Sequence, residues 1–186
     1  MTLESYHPSD QAKLERALAP ILSKIDSSSE SETAALVIEH MESLTAQEPR
    51  EWIYWVVLGD WRMRAQLFAK AVEACQRAAD LRQDDLLSTY ALASAYRALT
   101  NAVYLDHPRF TPEMKSMSEE LAVFPDQAKA GLDELGISLS VAAERCISLF
   151  KRALSLSSGA DKREIEDTLE ALRSAFPDSI AWVMPS

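Results

Sequence analysis

Metal binding, acid–base catalysis and phosphate handling each demand particular residues at particular spacings, and this chain offers few of them. Its three histidines, His7, His40 and His107, lie far apart. Only His7 stands in a Glu-x-x-His spacing, with Glu4, whereas a di-iron bundle needs two such pairs and further carboxylates. No metal site is expected. There are four glycines, and the chain has no Gly-x-Gly-x-x-Gly, Gly-x-x-x-x-Gly-Lys, Gly-x-Ser-x-Gly or His-Glu-x-x-His. The loops that cradle phosphates and the elbow that presents a catalytic serine are therefore not encoded. We expect no enzyme, no catalytic residue and no cofactor. The acids Glu164, Glu166, Asp167 and Glu170 lie on a predicted helix whose other face is apolar, and such a run is a solvated face that favours solubility.

Composition narrows the remaining classes. At 186 residues the chain is long enough for one domain with a substantial core, without disulfides or metals. A formal net charge of −10 opposes a general nucleic-acid role, because phosphate binding draws on clustered Lys and Arg. It favours solubility and a basic partner. The first residues lack the basic and apolar regions of a signal peptide, and no apolar run approaches about 18 residues, so a cytoplasmic protein without a membrane span is expected.

The elements that would position any site read as helices throughout, with no alternating strand pair bounded by hairpin signals. The fold class is all-α. Pro8 opens a first helix with Leu14, Leu18, Ile21, Leu22 and Ile25 as its apolar stripe, bent at Pro20. Ser27–Ser31 reads as a linker, and a second helix, about 32–45, carries Val37, Met41 and Leu44. Trp52 to Leu58 are apolar without a break, so that helix must be covered on several sides. Thr111-Pro112-Glu113 is a helix start ahead of Met114, Met117 and Leu121. Asp126 starts another helix, and Gly136 precedes a long one from Ile137 to Leu156. Asp161 and Glu164 have capping-box spacing before a stripe of Ile165, Leu169, Leu172 and Phe176. The tail Ile180–Met184 is too apolar for a solvated terminus and is expected to fold back or dock on a neighbour.

One pattern recurs. Trp55-x-x-Leu58-Gly59 is followed by Ala71-x-x-x-Cys75-x-x-Ala78, and a second copy runs Leu92-Ala93-x-x-Tyr96, with Pro49 three residues before Trp52. This resembles the tetratricopeptide repeat, a 34-residue helix-turn-helix unit with a Trp-x-x-Leu-Gly-x-x-Tyr, Ala-x-x-x-Phe, Pro signature. Arg62 replaces the usual tyrosine, Cys75 the usual phenylalanine, and Thr89 the second tryptophan. The second unit resumes only at Cys146-x-x-x-Phe150-x-x-Ala153, which implies an insertion of about 41 residues, roughly 100–140. Cys75 and Cys146 both fall at helix-packing positions of this frame, so buried free thiols are expected instead of a disulfide.

The resemblance implies an antiparallel helix-turn-helix stack, a short right-handed solenoid with an inserted helical hairpin and a C-terminal capping helix. Its parts are an irregular helix pair (1–49), one unit (50–83), an interrupted unit (84–157), and the capping helix with its tail (158–186). In that family, first helices line a concave groove that holds a peptide or helix. The equivalent positions are Ile53, Val56, Asp60, Met63, Arg64, Leu87, Tyr90, Ser94 and Arg97. Val56, Met63 and Tyr90 would be apolar anchors, with Asp60, Arg64 and Arg97 fixing orientation. Val56 and Asp60 stand where a carboxylate clamp needs lysine and asparagine, which argues against that clamp. Trp55 and Trp61 read as core in preference to a stacking platform. The implied function is an adaptor or chaperone-like module binding a segment of another protein. The alternative is a self-associating scaffold whose groove is filled by its own insertion or tail.

Overall fold

The residues described by this computed structural model, 7–25, 29–104 and 125–176, form eight α-helices and no strand. They are α1 (Pro8–Ile25), α2 (Glu30–Gln47), α3 (Trp52–Arg64), α4 (Phe68–Leu81), α5 (Leu86–Tyr104), α6 (Pro125–Leu135), α7 (Leu139–Leu156) and α8 (Gly159–Ala175). The fold is all-α. None of these helices is long and apolar enough to cross a membrane.

Local chemistry explains most of the boundaries. Ser29 is the N-cap of α2, and its hydroxyl and the Glu32 carboxylate exchange hydrogen bonds with each other's backbone N–H in a capping box. Glu30 and Ser31 therefore belong to the helix, not to a linker. At α8 the N-cap is Ser158, so Asp161 sits in the first turn, where it meets the positive end of the helix dipole; the capping box read at Asp161 and Glu164 does not form. Gly136 ends α6 with φ +63°, a conformation that costs an L side chain and that glycine adopts freely. Pro20 lies inside a continuous α1, whose buried residues are Leu14 and Ile21; Leu22 is 50% exposed and does not join the stripe.

Helices adjacent in sequence pack in turn, α1 on α2, α2 on α3, α3 on α4 and α4 on α5. The partner of α5 is then α7, with α6 set aside against α4 and α5, and α8 closes on α7. α3 also touches α1 and α5, so it is covered from four directions, as its unbroken apolar run requires. Trp52 is the buried tryptophan of that run, whereas Trp55 is half-buried and its indole N–H donates to the Pro49 carbonyl at 3.1 Å.

Small residues set the closest approaches. A Cβ on Gly59 would lie 2.3 Å from Cys75 Sγ, so α3 and α4 meet only because that carbon is missing. One pair later, Cys146 of α7 packs its thiol 3.6 Å from the Ala93 carbonyl of α5. Arg62, which departs from the repeat pattern, keeps only 13% of its side chain exposed. It donates to the Lys70 carbonyl at 3.0 Å and to Glu42 at 2.8 Å, tying α3 to α4 and α2. The start at Thr111, its methionine stripe and the tail 180–184 lie outside the described residues; of the insertion, roughly 100–140, residues 100–104 and 125–140 are described, the first ending α5 and the second including α6.

Candidate binding groove

The nine positions assigned to a concave groove are dispersed in burial and surroundings. Ile53, Val56 and Tyr90 are 0%, 4% and 7% exposed, so they support the core and offer little surface to a partner. Asp60 and Arg64 pair with each other at 3.0 Å, one turn apart, and Arg64 also lies 5.1 Å from the centre of the Trp61 ring. Met63 is partly buried against the core. Leu87 borders a cavity of about 270 Å3 with Trp52, Arg82, Asp10 and Asp161, where the helix starts of α1, α3, α5 and α8 converge.

The α5 part of that set faces α8. Tyr90 donates its phenol to Glu164 of α8 at 2.5 Å, and its ring meets Phe150 edge-on at 5.6 Å. Burial, and then the Glu164 carboxylate, push the Tyr90 phenol up to about 12. Arg97 lies 5.7 Å from the Phe150 ring and lines a cavity of about 380 Å3 with Asn101, Glu164 and Asp167. Ser94, half-buried, stands one turn from each of Tyr90 and Arg97. These contacts hold the terminal helix in place as much as they offer a surface.

A different groove lies between α4 and α7, with α5 as its floor. It encloses about 960 Å3 and is open on its outer side. Its floor is Thr89, Leu92 and Tyr96, themselves buried at 4%, 3% and 4% exposure; one side carries Asp80 and, in the turn after α4, Asp84, and the other carries Glu144, Arg145 and Arg152. Thr89, Leu92 and Tyr96 recur at helical spacing, so they share one face of α5. Arg145 donates to the Tyr96 hydroxyl at 2.9 Å and lies 5.9 Å from its ring centre, which fixes it on the floor. Arg152 pairs with Asp84 across one end at 2.6 Å. From Val141 to Arg152 the wall rises by roughly 16 Å at 1.5 Å per residue.

Sequence reasoning missed these residues because the repeat frame directs attention to first helices, whereas two walls here come from second helices. Cys75 and Cys146 are buried and free, and burial pushes each thiol up to about 12. Neither is an available nucleophile at neutral pH. No group of three or more His, Cys, Asp or Glu able to hold a metal occurs among the described residues. No family model, curated protein or solved structure matches this chain.

Proposed function

We propose that this protein is a tetratricopeptide-like interaction module that holds a segment of a partner protein, and that the groove between α4, α5 and α7 is where it does so. The observation that carries this is the groove itself: about 960 Å3, open along one side, with a floor closed by Thr89, Leu92 and Tyr96 and polar rims, Gln76, Asp80 and Asp84 on one side and Glu144, Arg145, Ser148 and Arg152 on the other. A small-molecule pocket buries most of its ligand, whereas an open trough suits a continuous chain. Tyr and Arg, both present here, are residue types that dominate binding energy at protein interfaces.

Support for the repeat-like stack comes from neighbour order. Each helix pairs with the next, α3 also touches α5, and α7 replaces α6 as the partner of α5. Gly59 and Ala93, 34 residues apart, are both points of close approach to the next helix, the first at Cys75 and the second at Cys146, which aligns with Ala71 in the frame. The concave surface expected from the resemblance is less favoured, since Tyr90 is tied to Glu164 of α8 and Asp60 and Arg64 pair with each other.

The test wedges the groove without touching the core. Ser148 and Gln76 are exposed on opposite walls, so Ser148→Trp and Gln76→Trp fill the trough while leaving helical content intact. Capture of a stoichiometric partner by the wild type, lost in both variants, is expected. Undiminished capture by both would place the site elsewhere, and recovery of only further copies of this chain would favour the self-associating scaffold.

A further inference from the structure

The terminal helix α8 is held to the rest of the molecule by little. Of its 17 residues only Ile165 and Leu172 are buried, and Leu169 and the adjoining Phe176 are half-buried on the same stripe. Among the described helices, α7 is the one it packs on closely. Towards α5 it makes the Tyr90–Glu164 hydrogen bond, and beside that bond a cavity of about 380 Å3 separates Arg97 and Asn101 of α5 from Thr168, Ala171 and Ala175 of α8. A close-packed contact would have filled that space with side chains.

The joint to α7 is built to turn. Ser157 and Ser158 are extended, and the Ser158 side chain makes no capping bond. Gly159 follows with φ +59° and open space where a Cβ would stand. A few residues in such a joint can absorb a large change of direction. Little buried apolar surface and an uncapped start put α8 at the low end of local stability, so it opens while the helices beneath it stay folded.

We propose that α8 is a latch over a second binding face, which it vacates for a helix of like chemistry in a partner protein. Tyr90, Ser94, Arg97 and Asn101 share one stripe of α5 at this face, whereas Thr89, Leu92 and Tyr96 of the groove share another. α8 itself shows what fits: an apolar stripe at the spacing of Ile165, Leu169 and Leu172, with a carboxylate one residue ahead of it for the Tyr90 phenol. A competing helix improves on α8 by carrying larger apolar side chains where α8 has Ala171 and Ala175, since these fill the cavity and bury area that α8 forgoes.

The test adds a fluorescein-labelled peptide of residues 159–176 to the full chain and reads anisotropy. The wild-type chain keeps its seat filled. Leu172→Ala in the chain loosens its own α8, and apparent affinity for the peptide should rise at least about tenfold, because it scales with the fraction of open seats. Met41→Ala, in the buried face of α2, destabilises the chain elsewhere and should leave that affinity at the wild-type value. A peptide with Ala171→Leu and Ala175→Leu should bind at least about threefold tighter than its parent, and a peptide with Leu172→Ala should lose binding. Hydrogen exchange on the wild type, which depends on no variant's folding, should be faster over Gly159–Ala175 than over α5 and α7. Absence of peptide binding by the Leu172→Ala chain, equal binding by all three chains, or exchange of α8 in step with α5 and α7 overturns the proposal. A dimer of the wild-type chain in light scattering would give the seat to the α8 of a second copy and overturn the assignment to a partner protein.

Discussion

At the scale of single residues, the chain is governed by what fits between helices. Gly59→Ala would place a carbon 2.3 Å from Cys75 Sγ, and overpacking of this kind costs about 1–3 kcal/mol. Adding Cys75→Ala removes the obstructing sulfur, and the next nearest atom, the Ala71 carbonyl oxygen at 3.4 Å, is an ordinary contact. The double variant should therefore regain most of the lost stability, and a urea-denaturation cycle reads the coupling directly. Two independent, additive losses would contradict this contact. The cysteines also set a pH dependence. Burial raises both thiols from 9.0 to about 12, so the neutral thiol is favoured in the fold. Their contribution is complete below 9.0, the ordinary value, and is lost as pH rises from there towards about 12; Tyr90, raised from 10.0, acts in the same direction. The denaturation midpoint should fall over that interval, and fall less when both cysteines are replaced by alanine. Neither thiol should be alkylated in the native protein at neutral pH.

At the scale of elements, the two helices with most to say are α6 and α8. Gly131 lets α6 sit on Phe68 and Leu99, so Gly131→Leu should lift it. Hydrogen exchange would then show lost protection across Pro125–Leu135, with α3 and α4 unchanged; loss spread through all helices would mean that α6 is part of one cooperative unit with them. Arg97→Glu puts a third carboxylate beside Glu164 and Asp167 and should loosen α8, seen as faster exchange over Gly159–Ala175. Legibility in the sequence followed the same division. The helices were readable from periodicity and from Gly, Pro and Ser signals, and Trp52–Leu58 announced a helix covered on several sides. The caps were not fully readable, because Ser29–Glu32 and Asp161–Glu164 have the same spacing and only the first forms the box. The groove was not readable from the repeat frame: it depends on how far apart α4 and α7 stand over α5 once α6 has taken its seat, a tertiary fact that no local pattern carries.

At the scale of the whole molecule, two faces compete for a binding role. The first-helix face is partly used up by the molecule itself: Ile53, Val56 and Tyr90 are core, Asp60 and Arg64 pair with each other, and α8 takes the Tyr90 phenol. The opposite face keeps a trough with two charged walls and a tyrosine held in place by Arg145. A chain with net charge −10 will repel indiscriminately acidic partners at long range, so the local Arg145–Arg152 wall must act at contact distance, within about one Debye length of 8–10 Å. Binding at this groove should accordingly weaken with salt less steeply than a purely electrostatic association. The most direct measurement places a photo-crosslinking amino acid at Ser148, on the groove wall, and in a second protein at Met63, on the first-helix face. The groove assignment predicts a discrete crosslinked partner from position 148 and none from 63. A partner crosslinked from 63 and absent from 148 would contradict it.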